Sequence, residues 1–176
     1  MRTQLLLLAV AGSTLLAACN PTYNWRDYAS PDAPYRVMFP AKPATHTRSV
    51  DLNGMKVDMT MTAAEVEGVT FAVGTGVAPD PARAQAALGD MKTALVRNLG
   101  ATVTRESAAT ASTGQPAALQ SRIDIEATGQ ANGQPMRLRG HFAAQGNRFY
   151  QVIVMGGANA VTPEQTEQFI SSFKLL

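Results

Sequence analysis

Two histidines, one cysteine and eight methionines are the side chains in this chain of 176 residues that invite a chemical reading. A serine hydrolase needs a hydroxyl, an imidazole and a carboxylate in one line of hydrogen bonds. The nearest candidates are His141, Asp124 and Ser121, but no Gly-x-Ser-x-Gly segment accompanies them. His141 and Asp124 are therefore expected as a cross-strand pair on a solvated face. Thioethers are soft donors suited to Cu(I). Met55, Met59 and Met61 alternate along one segment, and the hairpin register sets His46 opposite Met61. The same alternation is what adaptable core filling looks like, so no metal and no cofactor are expected. The HExxH and Cys/His patterns of zinc sites do not occur. Arg137, Arg139 and His141 share one strand face with Glu126 and Asp124 opposite, which predicts a salt-bridged, solvated surface rather than an anion site. Gly74-Thr75-Gly76 and Gly156-Gly157 lack the Lys-Ser/Thr of a phosphate loop. The first sits inside a strand pattern, where glycine signals a bulge or a close backbone approach. The second reads as a turn. No catalytic residue is assigned, and the chain is expected not to be an enzyme.

The lone thiol has a different role. Cys19 follows Leu16-Ala17-Ala18 at the end of the apolar run Leu5–Leu16, behind a single basic residue, Arg2. That is the pattern of a secretory signal peptide, and the run falls short of the roughly 20 residues a spanning helix needs. Leu16–Cys19 resembles the bacterial lipobox, in which the cysteine is acylated and becomes the first residue of the mature protein. Residues 1–18 are thus expected as a signal peptide, 19–24 as a lipidated tether and 25–176 as one domain. Two or more acyl chains make stable anchoring, since each buried methylene contributes about 0.8 kcal/mol. The residue after the cysteine is Asn20 rather than the Asp associated with inner-membrane retention. By that resemblance the protein sorts to the outer membrane, facing the periplasm. The tether extends at most about 17 Å at roughly 3.4 Å per residue.

Charge narrows the partners. The formal net charge is +2 and drops by one when Arg2 leaves with the leader. A near-neutral chain has no field to steer polyanions, so nucleic acid is not an expected partner. With one cysteine there is no intramolecular disulfide, and the core alone must hold the domain.

Most of the chain beyond Trp25 alternates with period two. Tyr35–Phe39 reads as a strand stopped by Pro40. Asn53-Gly54 is a two-residue hairpin signal that sets Asp51 opposite Lys56 and Val50 opposite Val57. Val69–Ala78 follows as a strand. Asp80 and Pro81 open a helix as N-cap and first helical residue. Its apolar stripe is Ala84, Leu88, Met91, Leu95 and Leu99, and Gly100 closes it. Ala101–Ala108 reads as a strand and Thr110–Pro116 as a loop. A second hairpin turns at Asn132-Gly133, between Leu119–Thr128 and Met136–Ala144. It pairs Glu126 with Arg139 and Asp124 with His141 on one face, and Ile123 with Phe142 and Ala127 with Leu138 on the other. A third turn begins at Gly146-Asn147. It leads into Arg148–Met155, apolar on both sides and so expected at the centre of the sheet. Thr162-Pro163-Glu164-Gln165 is a capping box opening a short helix with Phe169, Ile170 and Phe173 on its apolar side. The fold class expected is α+β: one antiparallel sheet of about seven strands with helices packed on its faces.

Two stretches carry a family resemblance: Trp25–Tyr28 leading into Tyr35–Pro40, and the terminal Phe169–Leu175. With the order of hairpins and helices between them, the chain resembles the PsbP/Mog-like superfamily, which includes small bacterial lipoproteins of the DcrB type. The resemblance implies an antiparallel sheet sandwiched by helices and no shared catalytic residues; the better-known members are assembly factors and binding modules. The resulting expectation is a membrane-anchored, non-enzymatic binding or assembly module with an envelope protein as partner. The alternatives are a carrier of a small apolar or amphipathic ligand and, behind it, a hydrolase. Trp25 and Tyr28 follow the tether closely and are expected to pack the first strand onto the sheet rather than dip into the membrane.

Overall fold

Three two-residue turns with left-handed backbone organise the β structure. Asn53-Gly54 (φ 54° and 86°) and Asn132-Gly133 (52° and 74°) are the predicted pair. The third, Glu67-Gly68 (50° and 75°), was not legible, because glutamate carries no preference for positive φ. The computed structural model describes residues 22–111 and 120–176. Cys19, Asn20, the lipobox and the leader lie outside the described residues, as does most of the predicted loop, 112–116.

In chain order the elements are β1 (Arg26–Ala29), β2 (Tyr35–Phe39), β3 (Ala44–Leu52), β4 (Met55–Val66), β5 (Val69–Val77), α1 (Pro81–Asn98), β6 (Thr102–Ala111), β7 (Gln120–Ala131), β8 (Gln134–Gln145), β9 (Arg148–Gly157), α2 (Pro163–Ser172) and β10 (Lys174–Leu175). Seven strands form one antiparallel sheet in the order β3-β4-β5-β9-β8-β7-β6. The predicted registers hold: Asp51 faces Lys56, while Glu126 faces Arg139 and Asp124 faces His141. β9 is the middle strand, and Phe149, Tyr150, Val152, Ile153 and Val154 are buried on its two sides. Gly156-Gly157 is not a turn: both glycines end β9, with the turn following at 158–160.

α1 covers one face of this sheet. Asp80 caps it by accepting from the Arg83 amide at 2.9 Å, and Gly100 (φ 55°) follows its last turn. Ala84, Ala87, Leu88 and Met91 bury against Met55, Met59, Phe142, Phe149 and Ile153. Lys92 reaches Glu106 on β6 at 2.8 Å, which ties the helix to the sheet's far edge.

The opposite face overturns the predicted fold class. It is covered by a second sheet, β1-β2-β10, together with α2, not by helices alone. Strands hold 58% of the described residues and helices 19%, so the molecule is mostly β rather than an α+β sandwich of one sheet between helices. The reason is Tyr35–Phe39. Its alternate residues Tyr35, Val37 and Phe39 are fully buried against Phe71, Val152, Val154 and Phe169, but its backbone pairs with β1 and with Lys174-Leu175. Alternation reveals a buried face and not which sheet a strand joins, and a two-residue partner at the other end of the chain leaves no local pattern.

The candidate functional site

The second layer covers only part of its face. β1, β2 and α2 lie over β5 and β9, where Phe169 meets Phe39 and Phe71 with ring centroids 5.3 and 5.4 Å apart. Trp25 packs edge-on to Phe71 at 5.9 Å and Tyr28 to Phe39 at 5.5 Å, the packing role expected of both. Beyond α2, the same face of β6, β7 and β8 carries polar side chains, and among the described residues no further strand or helix covers them, although Phe173 packs on His141.

Strand alternation and the β7–β8 register place these groups in rows. In the first row Glu126 accepts from Arg139 at 2.7 Å and from Arg105 at 3.4 Å. In the next, Asp124 meets His141 Nδ1 at 2.7 Å and lies 4.0 Å from the Arg122 guanidinium. Arg137 is exposed and takes part in no ion pair among the described residues. Four guanidinium groups thus face two carboxylates. Glu167 on α2 adds a third carboxylate and Lys174 on β10 a fifth cation, so positive charge stays in excess. The predicted pairs form, but they do not neutralise the face, because each carboxylate is shared between two bases.

Two clefts flank α2 on this surface. One, of about 450 Å³, runs between the start of α2 (Val161, Thr162, Thr166, Glu167) and the side chains of Thr104, Thr128, Arg137 and Arg139. The other, about 590 Å³, lies between Arg122 and His141 on the sheet and Phe173, Lys174 and Leu175 beyond the helix. The His141 ring sits 5.9 Å from that of Phe173, and its side chain is only 20% exposed.

Among the described residues this arrangement does not assemble a hydrolase triad. Ser121 pairs with Ala144, whose side chain is buried under α1, so Ser121 belongs to the face opposite His141; its hydroxyl bonds Thr110 at 3.3 Å. Ser107 does share the row, directly across from Asp124, but the order is serine, aspartate, histidine. The carboxylate separates the hydroxyl from the imidazole, two strands or about 10 Å apart, where the proton cannot pass directly. Arg105, Arg122 and Ser107 were missed from sequence. The places of Arg105 and Ser107 depend on the β6–β7 register, which slips at Thr104 and has no turn signal to announce it, whereas Arg122 shares the Asp124 face by alternation along β7 alone and was legible.

On the other face, His46 stands opposite Met61 as predicted. Met55 and Met59 are buried and Met61 half-buried. Both glycines of Gly74-Thr75-Gly76 mark close approaches. A Cβ on Gly74 would lie 2.5 Å from Met59 Cε and 2.5 Å from Met61 Sδ, and one on Gly76 would lie 2.5 Å from the Phe149 ring. Among the described residues no three His, Cys, Asp or Glu side chains cluster as for a metal, and no helix is long and apolar enough to cross a membrane.

Neither the protein-family models nor the curated proteins include a match to this chain.

Proposed function

We propose that the chain is a lipid-tethered, non-enzymatic binding module of the cell envelope, held at the outer membrane through Cys19, and that it docks a protein partner by an acidic segment. The observation that carries this reading is the polar half-face of β6, β7 and β8 beside α2. One half of the sheet face is sealed by aromatic packing, while the other presents Arg105, Arg122, Arg137, Arg139 and Lys174 in excess over their carboxylates. Large apolar side chains exposed among the described residues are only Val77 and Leu176, so charge rather than an apolar patch is what this surface offers a partner. Arg137, which pairs with no carboxylate among the described residues, makes a strong charge-assisted contact without first breaking another.

Site-specific photo-crosslinking in living cells tests this. A crosslinker at Thr128 or Thr104, beside Arg137 and Arg139, gives one adduct whose partner is identified by mass spectrometry. The same group at Ala86, on the outer side of α1, does not give it. Equal products from both faces, or none from the arginine face, would defeat the proposal. The intact mass of the mature protein reads the anchor in the same preparation: an unmodified thiol would remove the tether.

A further inference from the structure

We infer that the cleft between Arg122 on the sheet and β10 is a site for a small amphipathic anion: one carboxylate carried on an aliphatic body. The site goes beyond the docking reading, since it needs neither Arg137 nor a protein partner, and it stands or falls separately. Shape is the first observation. Ala109, Arg122, Ala143 and Tyr150 lie in one row across β6, β7, β8 and β9, and paired residues share a face. Ala111 follows two residues along on the same face of β6. With only methyl groups at Ala109, Ala111 and Ala143 the floor stays low. Phe173, Lys174 and Leu175 stand beside it, and about 590 Å³ remains between them, a volume ordinary for small-molecule sites. The wall is fixed before any ligand arrives. The Phe173 ring lies 5.7 Å from that of Tyr35 and 5.6 Å from that of Tyr150. Leu175 pairs with Tyr35, and the Ser172 hydroxyl accepts from the Met38 amide at 2.9 Å.

Charge is the second observation. Arg122 and Lys174 line this cleft, and among the described residues that line it there is no carboxylate. Arg122 is 65% exposed and comes no nearer to Asp124 than 4.0 Å. Lys174 takes part in no ion pair among the described residues. Asp124 engages His141 Nδ1 at 2.7 Å, so Nε2 is the imidazole nitrogen left for a ligand. A guanidinium grips a carboxylate through two parallel hydrogen bonds, and an ammonium adds a mobile point charge. The alanine methyls, Phe173 and Leu175 then take an aliphatic chain out of water. A compact inorganic anion leaves those walls unused, and an uncharged lipid leaves the cations unmatched. The cleft at the start of α2 holds Glu126 and Glu167 beside its arginines, which makes it the poorer host for an anion of this kind.

The test is photolabelling of the full mature protein in native membranes by a decanoate analogue that carries an alkyl diazirine, with labelled peptides mapped by mass spectrometry. Adducts are expected on residues 109–111 and 173–175 and are expected to vanish under excess decanoate. The matching alcohol, which lacks the charge, labels these segments at least about tenfold less. The Arg122→Gln/Lys174→Gln variant loses label from the acid by a similar factor. Ala109→Leu fills the floor and removes the label. Ala109 is exposed on an edge strand, so an unchanged unfolding midpoint in that variant shows that the fold persists. Equal labelling by acid and alcohol would overturn the site, as would adducts spread over other segments or labelling undiminished in the double variant. None of these results bears on a crosslink at Thr128, which reads the docking face alone.

Discussion

Tyr150 shows how much of this molecule's behaviour rests on single buried groups. It is 1% exposed in the middle strand, and burial, with Tyr35 nearby and Arg148 opposing, pushes its phenol from 10.0 up to about 12. Burial raises Tyr35 as well. The folded state therefore favours the neutral phenol. This contribution is complete below pH 10 and is lost as pH rises from 10 towards 12, at about 1.4 kcal/mol per unit for each such group. Denaturant midpoints measured across this range should be level to about pH 9 and then fall. Tyr150→Phe should flatten the fall, and an unchanged alkaline slope in that variant would contradict the account. Glycines divide at the same scale. A Cβ on Gly156 would press to 2.8 Å on the Gly68 carbonyl oxygen, a backbone atom that cannot swing aside. Gly156→Ala is expected to lower stability by about 1–3 kcal/mol in chemical denaturation. The Gly156-Gly157 pair read from sequence as a turn because doubled glycine usually marks one; here the requirement is close packing between β9 and the β4–β5 turn.

Among the elements, the legible ones carry their own signals. Asn-Gly turns fixed two registers to the residue, since a one-residue slip would have exchanged Ile123 and Ala127 for Asp124 and Glu126 in the core. Asp80-Pro81 and Thr162-Pro163 set both helix starts. What sequence could not supply were pairings that depend on distant segments: β2 with β10, and β6 with β7 across its irregularity at Thr104. The first error changed the fold class. The second hid Arg105 and Ser107 from the polar face, and so concealed that Glu126 serves two bases. α1 offers a prediction on its own. Gly89 sits mid-helix with open space around it, and Gly89→Ala should raise stability by about 0.5–1 kcal/mol, read as a higher thermal midpoint. No gain would mean the helix needs that glycine for something other than packing.

For the whole molecule, the two faces of one sheet are covered differently. The helix-covered face is sealed along β7, β8 and β9 by α1. The other face is sealed over β5 and β9 by aromatic packing and left polar over β6, β7 and β8. The first described residues, Thr22 to Trp25, run along the sealed part, where Tyr23 stacks on Trp25 with centroids 6.0 Å apart and the Asn24 amide donates to the Pro40 carbonyl at 2.8 Å. The described chain thus begins on the sealed side of α2, with the arginine half-face beyond that helix. Surface ion pairs such as Arg105–Glu126 contribute little to stability, so reversing charge at Arg137, which is unpaired, should leave folding intact and change only what docks.

The most direct measurement is the yield of the Thr128 crosslink in cells, compared between the native chain and Arg137→Glu with equal amounts of folded, membrane-bound protein. The account predicts one specific adduct, reduced at least about tenfold by the reversal. An adduct of undiminished yield would show that the arginine half-face is not where the partner docks.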